Sequence, residues 1–157
     1  MSEHFKTLSA VLPVVIREHE GREEVLLLRR ANTTYMDGKW DLAGSGHVEE
    51  GETASQAVCR ELFEETGLIA KPEDAVFVHV RHRIKWPIYY DFYFEIRCWE
   101  GEPSIREPEK CDGMAWFPVD ALPEDMIPNR RTAFLLARDG VAYSEIVYHD
   151  PEEEEIV

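Results

Sequence analysis

Gly46-His-Val-Glu-Glu-Gly-Glu52, seven further residues, and then Arg60-Glu-Leu-Phe-Glu-Glu-Thr-Gly-Leu68 decide how this chain folds and where its chemistry sits. Thr53-Ala-Ser-Gln56, between the two halves, has the spacing of a capping box, in which the Thr53 hydroxyl and the Gln56 amide each satisfy an orphan backbone donor of a starting helix. Gly67 is the stop. At about 100° per residue the apolar stripe of this helix runs through Ala54, Ala57, Val58 and Leu62, and Glu61 and Glu65 fall inside it. Those two acids also form a like-charge pair four residues apart, and Glu64 and Glu65 crowd the negative end of the helix dipole. A solvated acidic face is the usual reading of such a pattern. Here the acids enter the apolar stripe, Arg60 stands beside them and a glycine-rich loop precedes the helix, so a metal-binding role is favoured. Clustered oxygen ligands with no histidine or cysteine among them select Mg²⁺ or Mn²⁺ over zinc.

Working outward, Leu8 to Arg17 and Glu24 to Arg30 read as two strands around the polar turn Glu18-His-Glu-Gly-Arg22. A strand begins near Ala75, and Trp86-Pro87 makes a hairpin turn before Ile88–Trp99. There the alternation is strict: Ile88, Tyr90, Phe92, Phe94, Ile96 and Cys98 share one face, and Tyr89, Asp91, Tyr93, Glu95, Arg97 and Trp99 the other. A short strand from Met114 to Phe117 follows the polar loop Glu100 to Lys110. A helix is predicted from Asn129 to Arg138 with Gly140 as its stop, and Val141 to Tyr148 is the last strand-like stretch. Strands on both sides of the acidic helix and a second helix late in the chain predict an α/β fold, a mixed sheet with helices on each face. Residues 1–150 read as one domain and 151–157 as a solvated acidic tail.

The 157 residues, 44% of them apolar, suit one folded domain with a real core. Lys and Arg number 17 against 32 Asp and Glu, a net charge of −15 that argues against binding a nucleic-acid polymer through a basic surface. An anionic substrate therefore needs metal ions. The apolar run Ala10–Ile16 is far too short to span a membrane, and the chain reads as cytoplasmic, a monomer or homodimer without a membrane partner. Cys59, Cys98 and Cys111 form no C-x-x-C pair and are expected to be reduced.

The quoted stretch resembles an unbroken Nudix box, G-x5-E-x7-R-E-U-x-E-E-x-G-U, with nine fixed positions over 23 residues. The resemblance implies a Nudix hydrolase on an α/β/α sandwich with a mixed sheet and a loop-helix-loop catalytic motif. Such enzymes use Mg²⁺ to cleave a diphosphate linked to another moiety. A looser similarity to the MutT-like nucleotide pyrophosphohydrolases runs from Glu24 to Asn129. By that resemblance Glu61, Glu64 and Glu65 are metal ligands, Glu52 is a further ligand or outer partner, Arg60 orients the carboxylates, and the Ser45 carbonyl is an extra ligand. The general base is Glu61 or Glu107, the latter matching a late loop glutamate of MutT-like members.

Leu26-Leu-Leu-Arg-Arg30-Ala31 resembles the strand end at which such enzymes hold a substrate phosphate, which makes Arg30 the phosphate residue or, on the plainer reading, a surface arginine. The segment Trp116 to Asn129 resembles the one that lines the base pocket in enzymes acting on oxidised purine nucleotides. Trp116 offers a stacking face and Asn129 an amide for a base edge, against the alternatives of core packing for Trp116 and helix N-cap for Asn129. His47, His79 and His82 lack a ligand motif. The implied function is Mg²⁺-dependent pyrophosphohydrolysis of a nucleoside di- or triphosphate derivative, a small-molecule substrate. Trp40-Asp-Leu-Ala-Gly-Ser-Gly-His47 departs from the Pro-Gly-Gly approach of many members and resembles the isopentenyl diphosphate isomerase type, so an isoprenoid diphosphate enzyme is one rival and a non-catalytic Nudix-fold binding protein another. The approach loop has no cysteine where such isomerases keep a catalytic one, and the intact acid set argues against a mere binding module.

Overall fold

The computed structural model describes residues 3–85, 87–150 and 153–156, with side chains described as far as residue 147. The first two apolar runs form a hairpin of β1 (Leu8–His19) and β2 (Arg22–Arg30), antiparallel from Ile16↔Val25 to His19↔Arg22. Its turn, Glu20-Gly21, has both φ angles positive, as a two-residue hairpin between right-twisted strands requires. Each strand thus runs two residues further into the turn than the polar residues there predict.

Towards its start β1 leaves β2. It pairs instead with β4 (Gly46–His47), at Ala10↔His47 and Val11↔Gly46, while the far half of β2 pairs with β3 (Trp40–Leu42). The link Ala43-Gly44-Ser45 therefore lies where two strands diverge. Along its other edge β1 runs parallel to β6 (Tyr89–Ile96), which pairs antiparallel with β5 (Ala75–Ile84), and β7 (Cys111–Pro118) pairs antiparallel with β2. β8 (Tyr143–Asp150) is parallel to β5, and within the acidic end Glu153–Ile156 forms β9 against β8. Trp86 of the proposed hairpin turn and residues 151, 152 and 157 of the tail lie outside the described residues.

The mixed sheet is covered on one face by α1 (Ala54–Thr66), whose Ala57, Val58 and Leu62 pack with Val11, Val15, Leu26, Leu28 and Phe94. On the other face Ala133 and Phe134 of α2 (Pro128–Arg138) pack with Leu12, Val14, Ile16, Leu27 and Tyr93. Alternate residues of β1 thus feed two cores, the α/β/α sandwich that the sequence predicts. Both faces of β6 are covered, Phe94 and Ile96 packing in the core under α1 and Tyr93 in the core under α2, and Asp91 and Tyr93 on its more polar face are fully buried.

α1 begins and ends as expected. Thr53 Oγ1 accepts from the Gln56 N–H, Gln56 Oε1 accepts from the Thr53 N–H, and Gly67 closes the helix at φ 79° with its N–H on the Phe63 carbonyl. The start of α2 differs from expectation. Its N-cap is Ile127, with no side-chain cap, and Asn129 lies inside the first turn, because Pro128, its φ already helical, opens the helix one residue earlier.

Candidate active site

Two glycines set α1 against the loop where the strands diverge. A Cβ on Gly44 would lie 2.6 Å from Leu62 Cα, so the loop backbone touches the helix backbone at a residue whose φ of +90° also suits glycine. A Cβ on Gly46 would lie 2.2 Å from Glu61 Cδ. The Glu61 carboxylate occupies the space a side chain would take, which explains how an acid fits in an apolar stripe. Gly44 also donates its N–H to Glu65 Oε2 at 3.0 Å, so the same loop receives both half-buried acids.

Arg60 organises the rest. It donates to Glu52 through Nε (3.0 Å) and Nη2 (2.7 Å), to Glu61 (2.8 Å) and Glu64 (3.3 Å) through Nη1, and to the His47 carbonyl through Nη2 (3.0 Å). The guanidinium holds the Glu52 carboxyl down at about 2, helped by the Glu49 N–H. Burial acts the other way on the two acids of the stripe. Glu61 is raised by desolvation, offset in part by Arg60, and Glu65 is pushed up to about 8 by desolvation and then by the charges of Glu61 and Glu107, against the Gly44 hydrogen bond.

The loop before β7 adds a further acid. Its backbone is pinned to the end of α1, where Ser104 and Arg106 donate their N–H groups to the otherwise unused Thr66 and Glu65 carbonyls, and the Arg106 guanidinium lies over the Phe63 ring at 5.5 Å. Docking this loop delivers Glu107 to a cleft of about 450 Å³, which it lines with Glu65, Ser45 and Asp41. Arg29, Arg30 and Lys110 line the same cleft, with Asn32 and Thr33 beside them. Arg30 is held by the loop that follows it, donating to the Tyr35 carbonyl at 2.8 Å and to Thr33 Oγ1 at 3.1 Å, and by Asp41 Oδ2 at 3.3 Å. Acidic and cationic side chains thus share one cleft, Lys110 Nζ lying 3.8 Å from Glu107 Oε2 and Arg30 Nη1 3.3 Å from Asp41 Oδ2.

The structure gathers Ser45, Glu65, Glu107 and Arg30 around the cleft, whereas Glu52, Glu61 and Glu64 are not in its lining and are tied to one another through Arg60. It does not bring Trp116 and Asn129 together. Trp116 packs on the α1 side of the sheet, between the Trp99 ring at 5.9 Å and the Arg17 guanidinium at 4.3 Å. Asn129 is fully buried at the start of α2, its Oδ1 accepting from Arg81 at 3.0 Å, and neither residue lines the cleft. Asp41, Arg29 and Lys110, by contrast, are lining residues to which the sequence reading gives no role, although Asp41 stands in the quoted Trp40–His47 approach and Arg29 beside Arg30. The available signal for Asp41 was its place directly after Trp40 in that approach.

The donor set fits a divalent cation. Its groups are oxygens throughout, and Glu65 is raised by burial and then by the charges of Glu61 and Glu107, a repulsion that a bound cation relieves. Among the described residues no three acids, histidines or cysteines already converge as a metal cage, since Arg60 holds Glu61 and Glu64 while Gly44 holds Glu65. A metal has to draw these carboxylates from those partners.

A glutamate-bearing helix on a mixed α/β/α sandwich, with Glu65 in a polar cleft lined by further acids and by cations, defines a phosphoric anhydride hydrolase of the Nudix type. Residues 6–136 match the NUDIX domain family, and the chain belongs to that family. It is 29% identical over 116 residues to the 8-oxo-dGTP diphosphatase of Escherichia coli (strain K12), covering 74% of this chain and 86% of that one. It is 37% identical over 114 residues to the RNA pyrophosphohydrolase of Baumannia cicadellinicola subsp. Homalodisca coagulata, covering 71% of this chain and 60% of the relative. The crystal structure of a MutT NUDIX hydrolase from Burkholderia pseudomallei superposes with a TM-score of 0.72 at 25% identity, over 83% of this chain and 98% of that one. No helix among the described residues is long and apolar enough to cross a membrane.

Proposed function

We propose that the chain is a Mg²⁺-dependent pyrophosphohydrolase of nucleoside di- or triphosphate derivatives, oxidised or non-standard nucleotides among them. It releases a nucleoside monophosphate with pyrophosphate, or with a phosphate product when the substrate is a diphosphate. The observation that carries this reading is the polar cleft, whose lining mixes the carboxylates of Asp41, Glu65 and Glu107 with the cations Arg29, Arg30 and Lys110. A metal-bound polyphosphate suits such a mixed lining.

In this reading Glu61, Glu64 and Glu65, with Glu52 and the Ser45 carbonyl as further donors, hold Mg²⁺, which neutralises the diphosphate and lowers the pKa of a bound water. Mn²⁺ suits the same oxygens. Arg60 keeps the carboxylates in position, and Arg30 fixes a substrate phosphate. Glu107 takes the proton of the attacking water, with Glu61 as the other base within the same cluster. The lining holds few apolar side chains, Leu28, Leu42 and Cys111 among them, and no aromatic ring, which favours a phosphorylated polar substrate over an isoprenoid chain.

A panel of nucleoside triphosphates, oxidised nucleotides, nucleotide sugars, dinucleoside polyphosphates, 5′-triphosphorylated RNA and isoprenoid diphosphates, each with Mg²⁺ and with products identified, tests the proposal. Preference for a mononucleotide supports it. Preference for an isoprenoid diphosphate or the RNA end, or no hydrolysis at all, contradicts it.

A further inference from the structure

Asp41 is a carboxylate almost out of reach of water, 2% exposed, and it serves two arginines. Its Oδ2 accepts from Arg30 Nη1 at 3.3 Å, while Oδ1 accepts from Arg130 Nε at 3.1 Å and from the Leu42 N–H at 2.7 Å. Arg30 lines the cleft. Arg130, in the first turn of α2, does not; it is 7% exposed and its Nη1 reaches Asp91 Oδ2 at 3.5 Å. Asp91 in turn pairs with Arg83 Nε at 2.6 Å. A run of alternating charges therefore leads from the cleft wall through the interior to the far side of β6.

Sharing matters because of the distances. A charge-assisted N–H···O bond closes to about 2.7–2.9 Å when it is unopposed. The Arg30–Asp41 contact is longer than that, and the carboxylate's other oxygen is engaged by Arg130. With Arg130 in place, Asp41 orients the Arg30 guanidinium without capturing it, and the Tyr35 carbonyl and Thr33 hydroxyl fix its plane. Without Arg130, a buried carboxylate would be left with Arg30 as its one cationic partner and would draw that guanidinium away from an incoming phosphate.

We infer that Arg130 is a positioning residue, which through Asp41 keeps the Arg30 guanidinium available to a substrate phosphate. The inference rests on the reading of Arg30 as the phosphate residue, and it adds a requirement from the opposite face of the sheet.

The test compares wild type, Arg130→Met, Arg130→Lys, Arg30→Ala and the Arg30→Ala/Arg130→Met double variant. The readouts are KM and kcat for 8-oxo-dGTP with Mg²⁺, and the dissociation constant of inorganic pyrophosphate by calorimetry, which does not depend on turnover of any one nucleotide. Arg130→Met is expected to raise KM and the pyrophosphate constant roughly tenfold, the scale of one weakened charged hydrogen bond, with kcat little changed. Arg130→Lys, which keeps a cation beside Asp41, is expected to restore most of the loss. In the Arg30→Ala background the Arg130 change is expected to add nothing further. If Arg130→Met does not fold, Arg130→Gln replaces it, keeping a hydrogen-bond donor while removing the charge.

A lower melting temperature with unchanged KM and pyrophosphate affinity makes the Asp41–Arg130 pair purely structural and overturns the inference alone, provided Arg30→Ala weakens both. If Arg30→Ala leaves both unchanged, the phosphate reading of Arg30 falls and the inference falls with it.

Discussion

The Glu61 carboxylate fills the place where Gly46 lacks a side chain, so that a Cβ on Gly46 would sit 2.2 Å from Glu61 Cδ, whereas a Cβ on Gly44 would meet the Leu62 Cα at 2.6 Å. The two glycines therefore fail differently when changed. Gly46→Ala meets the end of a flexible side chain and is expected to keep the fold while displacing Glu61, lowering kcat about 10²-fold, the scale of an ångström-sized misplacement. Gly44→Ala pushes on helix backbone and is expected to lower the melting temperature markedly. Equal losses of stability in the two variants, with full turnover in Gly46→Ala, contradict this placement of Glu61.

The acids themselves are expected to be indispensable. Glu64→Gln and Glu65→Gln should each lower turnover by roughly 10²- to 10⁴-fold, with circular dichroism unchanged. Full activity in both at saturating Mg²⁺ removes the proposed site.

Bringing the charges of Glu61 and Glu107 near the partly buried Glu65 costs stability that a bound divalent ion relieves. Adding Mg²⁺ is therefore expected to raise the melting temperature, by the equivalent of about 2.7 kcal/mol at a hundredfold excess over its dissociation constant, and EDTA to reverse the rise. A flat melting temperature across the titration, with no heat of binding by calorimetry, counts against metal binding here.

Much of α1 is legible in the sequence because its signals are local: the Thr53–Gln56 capping box, the Gly67 stop and the acids in the apolar stripe are all set by spacing within one helix. The relationships that shape the cleft are not local. Arg130 and Asp41 are 89 residues apart, and nothing in either neighbourhood announces that they meet. Asp91 sits on the more polar face of an alternating strand, yet Tyr93 of that face packs against Ala133 and Phe134 of α2 and both residues are fully buried. Asn129 has the residue type of a helix cap, but Pro128 moves the start of the helix and the amide turns inward to Arg81.

His79 provides a pH test away from the cleft. On β5 and fully buried, it donates from Nδ1 to the Val141 carbonyl and accepts on Nε2 from the Ser144 hydroxyl, which itself accepts from Arg81 Nε. Burial lowers its pKa, with Arg81 adding to the shift against the Val141 carbonyl. A histidine lowered in the folded state takes up its proton more readily when unfolded. Its contribution to stability is thus whole above about pH 6.5 and is lost as pH falls towards the folded value. Urea unfolding across that range is expected to show this decline, and His79→Gln to flatten it. An equal slope in the variant contradicts the assignment.

Glu107 is expected to matter through proton transfer. Glu107→Gln should lower kcat and alter the acid limb of the pH–rate profile, since the wild-type base must be ionised and activity falls as it gains its proton. An unchanged profile with unchanged kcat moves the base to Glu61.

The central claim, water attack at phosphorus within a diphosphate, is tested most directly by hydrolysing 8-oxo-dGTP, and the preferred substrate of the panel, in ¹⁸O-labelled water with Mg²⁺ and locating the label by mass spectrometry. The expected result is one ¹⁸O in a phosphoryl group of the nucleoside monophosphate or of pyrophosphate, with Glu64→Gln nearly inactive. Label on carbon, or phosphate products that carry none, would contradict it.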